Sequence, residues 1–269
     1  MQALLQVNNL STRFRVKSSG LFNAHRIIKA VDDVSFHINK GEVLSLVGES
    51  GCGKTTVGRT LTRLEKSSAG QALFRGTDIL PLSQTQFRPL RREIQMIFQD
   101  PFASLNPRLT VEQTLTEPLF IHKLANSRRA ATLQVGAILE QVGLDATVMK
   151  RHPHEFSGGQ RQRIGIARVM ILKPQLIIAD EAVSALDVSI QAQVLNLLKQ
   201  LQQDNNISML FISHDLGVVR HISDRVAVMY QGKIVETAES QAVFDRPQHS
   251  YTKKLLASIP RVPTLQRAS

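Results

Sequence analysis

The sequence predicts an α/β fold built on a parallel sheet, and three observations predict it. An apolar run, Val43-Leu44-Ser45-Leu46-Val47, enters Gly48-Glu49-Ser50-Gly51-Cys52-Gly53-Lys54-Thr55, and helical spacing follows from Thr55 to Leu64. Two further runs, Leu176-Ile177-Ile178-Ala179 and Met209-Leu210-Phe211-Ile212, are apolar throughout, as strands buried on both faces are. Strand-like and helix-like segments alternate between them, which is the pattern of a parallel sheet flanked by helices.

Taken in order, the first 40 residues alternate, with Val34, Phe36 and Ile38 on one strand face and Ser35 and His37 on the other. Lys17-Ser18-Ser19-Gly20, lying between Phe14 and Ile27, reads as a loop between two strands. After the first helix, Gln71 to Phe74 reads as a short strand, Arg75-Gly76-Thr77-Asp78 as a turn, and Ile94 to Phe98 as another strand. From Asp100 to Phe156 the pattern changes to an inserted helical region, punctuated by Pro101, Pro107, Pro118 and Pro153. Its clearest helix runs from Ala130 to Val142, with Leu133, Ala137, Ile138, Gln141 and Val142 near one face. Gln191 to Leu201 reads as a helix with Val194, Leu195, Leu198 and Leu201 on one side. Val226 to Met229 and Lys233 to Glu236 read as a hairpin around Gln231-Gly232.

Composition bounds the function. Of 269 residues, 42% are hydrophobic, enough for a sizeable core and too many for a disordered chain. The one cysteine, Cys52, rules out an internal disulfide and a cysteine-cluster metal site, and fits a reducing compartment. No apolar run approaches the ~18 residues of a membrane span. Met1 to Leu5 is followed by Gln6, Asn8 and Asn9, without a basic n-region or long h-region, so a secretory leader is not expected. The net charge of +11 leaves three readings: a solvated basic surface, attraction to an anionic membrane face, or nucleic-acid binding. No aromatic-interleaved basic stretch suggests base stacking, so no nucleic-acid partner is expected.

Residues 48–55 spell G-x-x-x-x-G-K-[ST], a phosphate-binding loop of nucleotide hydrolases. Its glycines let backbone N–H groups face phosphate oxygens, and the helix N-terminus behind adds partial positive charge. Lys54 is placed to reach the β- and γ-phosphates of ATP, and Thr55 to hold Mg²⁺. Leu176 to Ala179 ends in Asp180-Glu181, at the strand end where ligands sit in open α/β sheets. Asp180 can then ligate Mg²⁺ through water, and Glu181 can polarise an attacking water at the γ-phosphate. Alone, the Asp-Glu pair would read as a cap of the next segment. Phe156-Ser157-Gly158-Gly159-Gln160 precedes a helical run from Arg161 to Met170 and makes a second anion-binding terminus. Alone, it would read as an N-cap with a glycine turn.

The order of these landmarks, with Phe98-Gln99-Asp100, Ser184-Ala185-Leu186-Asp187 and Ser213-His214-Asp215 among them, resembles the ATP-binding subunit of an ABC transporter from about residue 4 to 260. The resemblance implies one ABC-type ATPase domain over 1–269. It has a nucleotide hydrolase core and an antiparallel β subdomain over 1–98 and 166–240, an inserted helical subdomain over 99–165, and a C-terminal tail over 241–269. It implies that Gly48 to Thr56, with Thr56 included, cradle the nucleotide. Gln99 would sense the γ-phosphate and join the metal set of Thr55 and Asp180. Ser157, Gly158, Gly159 and Gln160 would grip ATP held by an opposite protomer, and Asp187 would link the two sites. His214 would contact the γ-phosphate and orient the water. Phe14 stands where similar proteins carry the adenine-stacking aromatic; an ordinary core Phe is the competing reading.

Phe98 to Pro107, Pro153-His154-Glu155-Phe156, Val183 to Ser189 and Pro247-Gln248-His249-Ser250-Tyr251-Thr252 narrow the resemblance to ATPases of peptide, glutathione and nickel importers, above all the second ATPase of a dipeptide/oligopeptide importer or the second half of the fused glutathione-type one. Three departures stand out: Ala182 where Pro is usual, Ala238 where Gly is common, and a tail that reaches Ser269 without the cysteines of an iron–sulfur extension. The implied partners are membrane permease subunits, a second ATPase subunit (a paralogue or a second copy) and, indirectly, an external solute-binding protein. The implied location is peripheral, at the cytoplasmic face of the inner membrane. The rival readings are a nickel or other small-solute importer ATPase, an exporter ATPase, and a non-transport ABC ATPase of DNA repair or translation.

Overall fold

Strands of the computed structural model, which describes residues 3–17, 25–100 and 104–258, divide between two sheets. The first is antiparallel and contains β1 (Ala3–Lys17), β2 (His25–Asn39), β4 (Ala69–Phe74) and β5 (Thr77–Asp78) in the order β2-β1-β4-β5. The second contains β3 (Val43–Val47), β6 (Ile94–Ile97), β7 (Leu176–Asp180), β8 (Ser208–Ser213), β9 (Arg225–Tyr230) and β10 (Lys233–Glu239). Its order is β10-β9-β3-β8-β7-β6, parallel except for the β9–β10 hairpin.

The apolar runs behave as a doubly covered sheet requires. Along β7, Ile177 and Ala179 join one apolar cluster while Leu176 and Ile178 join the other. Met209 and Phe211 of β8 likewise oppose Leu210 and Ile212. The first cluster takes the helices over Gly158–Met170 and Val188–Asp204, together with the helical insertion. The second takes the phosphate-loop helix, Lys54–Leu61, and the inner face of the antiparallel sheet, including Val34, Phe36 and Ile38. Burying each such side chain stabilises the fold by about 1.5–3 kcal/mol. A short ion pair between Arg225 and Glu42 (2.8 Å) ties β9 to the turn after β2, where Glu42 also accepts from the Asn39 amide.

Several expectations are corrected. The helix after the phosphate loop stops at Leu61 rather than Leu64, because Arg63 turns into a left-handed conformation (φ 60°). Leu133 is not on the buried face of its helix, Arg128–Gln141. Ala131, Val135, Ile138 and Leu139 are buried, and Leu133 is 69% exposed. The i, i+4, i+7, i+8 set wins, and Leu133 falls on the opposite side. Val111–Ile121 is a helix despite Pro118. Thr110 nucleates it with a capping box to Gln113. The helix expected over Gln191 to Leu201 runs from Val188 to Asp204. The strands β1 and β2 reach further into the 14–27 interval than expected, to Lys17 and from His25. Residues 18–20 of the expected loop lie outside the described residues, as do Pro101, Phe102 and Ala103 of the 98–107 stretch and the tail beyond 258.

Candidate phosphate-binding and catalytic site

Four neighbouring parallel strands, β3, β8, β7 and β6, deliver the candidate groups from their carboxyl ends. β3 leads to Lys54 and Thr55, β8 to His214, β7 to Asp180 and Glu181, and β6 to Gln99.

The phosphate loop needs its glycines for two separate reasons. Gly51 and Gly53 have φ of 80° and 111°, a region L side chains avoid. At Gly48 and Gly53 a Cβ would also lie 2.1 Å from a backbone oxygen, that of Met229 and Ala30 respectively. Ser50, Gly51, Gly53, Lys54, Thr55 and Thr56, with Ala30, Gln99 and Glu181, line a cavity of 220 Å³. Gly48, Glu49 and Cys52 shape the loop behind that surface rather than lining it. Two of the larger cavities, of 520 and 360 Å³, lie toward the helical insertion and contain none of the candidate catalytic groups.

The polar groups of the site satisfy one another. The Lys54 ammonium is buried and donates to the carbonyls of Gly48 (2.7 Å) and Glu49 (2.9 Å). Thr55 Oγ1 donates to Asp180 Oδ1 at 2.9 Å. Burial pushes the Asp180 carboxyl above its ordinary range, against the Thr55 hydrogen bond. Glu181 is aimed by its backbone: φ is 47° and its N–H donates to the Ile212 carbonyl at 2.9 Å. Both of its oxygens are engaged, Oε2 by Gln99 Nε2 at 2.8 Å and Oε1 by His214 Nδ1 at 3.1 Å. Burial raises the Cys52 thiol, which sits 3.8 Å from the Lys54 ammonium.

Other candidates lie apart from the cavity. Ser157 caps the helix Gly158–Met170 in a reciprocal box with Gln160. A Cβ on Gly159 would lie 2.4 Å from Ile190 Cγ2, so this glycine lets two helices approach. Asp187, exposed, begins the second of those helices, beside Val188, which is 82% exposed. Ser157 to Gln160 and the region of Asp187 therefore meet each other but not the cavity. Phe14 sits on β1 opposite Ile28, half-buried, and does not line the cavity. Ala182, the residue standing where Pro was expected, is buried.

Two supports of the loop were not recognised in the sequence. Gly232 of the β9–β10 turn donates to the Cys52 carbonyl at 3.0 Å, and the Tyr251 hydroxyl accepts from the Glu49 amide at 3.1 Å. Both partners are about 180 to 200 residues from the loop, and no local pattern pairs them.

The ABC transporter family matches residues 31–184, and the family of the oligopeptide/dipeptide transporter C-terminal region matches residues 235–268. The oligopeptide transport ATP-binding protein AppF of Bacillus subtilis is 54% identical over 96% of this chain, which spans 79% of that protein. The putative oligopeptide transport ATP-binding protein YkfD of the same organism is 52% identical over 96% of the chain and 76% of its own length. The glutathione import ATP-binding protein GsiA of Pectobacterium atrosepticum is 54% identical over 96% of the chain, which spans 41% of that protein's length. Among solved structures, the dimeric post-hydrolysis state of the ATP-binding cassette MJ0796 bound to ADP and Pi superposes with a TM-score of 0.78 at 26% identity, covering 88% of this chain and 98% of the other. The structure of cbiO1 from Clostridium perfringens gives 0.77 at 25% identity, covering 91% and 92%.

Proposed function

We propose, because this chain belongs to the ABC transporter family, that it binds and hydrolyses ATP to energise import of a peptide-like solute through membrane permease subunits. The observation that carries the ATPase reading is the Glu181 carboxylate, braced by Gln99 and His214 beside the phosphate loop. The peptide-type reading rests on the match at 235–268 and on the oligopeptide and glutathione relatives.

The residues present fit both groups. Ser50, Gly51 and Gly53 to Thr56 line a concave cavity, and Gly51 and Gly53 present it with bare backbone in conformations that L side chains avoid, as a phosphate cradle requires. Thr55 and Asp180 offer paired hard oxygen donors, the type that holds Mg²⁺, with Gln99 facing the same cavity. Bound there, Mg²⁺ would neutralise charge on the phosphates.

The chain's own groups then have defined tasks. Lys54 exchanges two loop carbonyls for β- and γ-phosphate oxygens. Glu181 exchanges one of its two partners for water and takes its proton as general base. His214 holds the Glu181 carboxylate and faces the same reacting water. Ser157, Gly158, Gly159 and Gln160, with Asp187 beside them, face the phosphates held by an opposite ATPase subunit, since they do not reach the cavity of their own chain. An aromatic, Phe14, serves the adenine. Residues 99–165 act as the arm that reports the nucleotide state to the permease. The 360 Å³ groove at its base is lined by Phe98, the neighbour of Gln99, and by Leu64 and Ile121, which are about half exposed. That groove suits an apolar permease helix. No described helix is long and apolar enough to cross a membrane, so attachment at the cytoplasmic face is assigned to the permease.

Vesicles reconstituted with the permease and its ATPase subunits test the reading. ATP hydrolysis should drive accumulation of a short peptide or glutathione-like solute, and both should vanish together when this chain carries Lys54→Ala. Hydrolysis that proceeds equally without the permease, with no solute accumulation, would favour a non-transport ATPase.

A further inference from the structure

The 235–268 region has no chemistry of its own in the reading above, yet it touches the phosphate loop. Tyr251, in the helix Ser250–Ala257, is buried, and its hydroxyl accepts from the Glu49 N–H at 3.1 Å. That N–H belongs to the same peptide group as the Gly48 carbonyl, which accepts from Lys54 at 2.7 Å. One peptide plane is therefore gripped from both sides, by the ammonium that must later reach the phosphates and by a phenol from the C-terminal helix. Burial raises the Tyr251 phenol, so the group stays neutral.

The helix that carries Tyr251 is itself anchored. The Glu236 carboxylate on β10 accepts from the Gln248 and His249 amides at 2.8 and 2.9 Å, at the entry to the helix. The Tyr251 ring packs on Tyr230 with centroids 4.2 Å apart. The same hairpin holds the loop a second time through Gly232 and the Cys52 carbonyl. The hairpin and C-terminal helix thus form one unit that fixes the loop at Glu49 and Cys52.

We propose that Tyr251 is a positioning residue for nucleotide binding: its hydroxyl fixes the Gly48–Glu49 peptide plane, and through it the C-terminal helix sets the affinity of the phosphate loop. This rests on the ATP-binding reading. The alternative is that Tyr251 is packing alone, in which case Phe would serve equally well.

Tyr251→Phe separates the two, because it keeps the ring against Tyr230 and removes only the oxygen. Tyr230→Phe is the matched control: its hydroxyl accepts from Gln231 Nε2 at 3.2 Å and does not touch the loop. Mg-ATP affinity is measured by calorimetry on the full chain, and KM and kcat in the assembled transporter. Tyr251→Phe should weaken Mg-ATP binding and raise KM about three- to tenfold, the worth of one hydrogen bond, with kcat within about twofold and an unchanged melting temperature in the absence of nucleotide. Tyr230→Phe should match the wild type. Unaltered affinity in Tyr251→Phe, or an equal loss in Tyr230→Phe, overturns the proposal. A wild-type chain that fails to bind Mg-ATP would instead overturn the ATP reading on which it rests.

Discussion

Lys54 is held by its own loop, and this decides what its removal does. Its ammonium donates to the Gly48 and Glu49 carbonyls, so Lys54→Ala frees two acceptors and deletes the charge proposed above to meet the phosphates. A charge-assisted contact contributes about 1.5–3 kcal/mol, so Mg-ATP affinity should fall about tenfold or more in a filter-binding or calorimetric titration. Cys52 is the opposite case. It lies in the loop, but burial lifts its thiol and keeps it protonated, and the Lys54 ammonium stands a long 3.8 Å from the sulfur. A protonated thiol is neither nucleophile nor charge partner. Cys52→Ser should therefore keep turnover within about threefold, the scale of one weak hydrogen bond. A loss as large as that of Lys54→Ala in the same assay would give the thiol a role. The loop and its lysine were legible because their chemistry is local: a strand, a run of glycines and a helix start in consecutive residues. Tyr251 was not, because its contact with Glu49 spans 202 positions.

At the scale of elements, the helix Ser250–Ala257 depends on a carboxylate. Burial works against the Glu236 charge, but the Gln248 and His249 amides outweigh it and hold the carboxyl below its usual 4.5. A depressed carboxyl gives stability that is present above the unfolded value of 4.5 and is lost as pH falls through the lower folded value. Glu236→Gln should therefore melt earlier than the wild type at pH 7, and the two melting curves should converge as the pH drops below ~4.5. A gap that persists unchanged at acid pH would assign the loss to shape rather than charge. Element existence was legible where an apolar run or a turn signal was strong, as in β3, β7, β8 and the β9–β10 hairpin. It failed where competing signals met. Pro118 suggested a break, but the Thr110 capping box and the buried Leu115 and Leu119 carry the helix through. Leu133 was placed on the apolar face by helical spacing, yet the neighbouring set of Ala131, Val135 and Leu139 claimed the buried face.

At the scale of the whole molecule, the order of strands explains why residues so distant in sequence form one site. β8 inserts between β3 and β7, so His214 arrives beside Glu181 rather than at the end of the sheet. No motif encodes that order; it follows from which connections cross over the sheet. On the reading proposed above, one chain carries only part of the site. Ser157 caps its helix by accepting from the Gln160 N–H, and this terminus lies away from the cavity lined by Lys54 and Glu181. A second subunit in head-to-tail contact would bring such a terminus to each cavity. If so, a chain that binds ATP without hydrolysing it should accumulate the closed pair. Glu181→Gln keeps the shape of the side chain and one of its two oxygen acceptors but removes the proposed base, so turnover in the assembled complex should fall at least about 100-fold, the lower end of a general base's contribution. With saturating Mg-ATP, light scattering should show this variant as a dimer, with itself or with its partner ATPase. Ser157→Arg in the same background should keep nucleotide affinity, since Ser157 does not line the phosphate-loop cavity of its own chain, while the dimer disappears. A Glu181→Gln protein that stays monomeric in both mixtures, together with full turnover in a complex carrying Ser157→Arg, would leave each subunit as a self-sufficient ATPase.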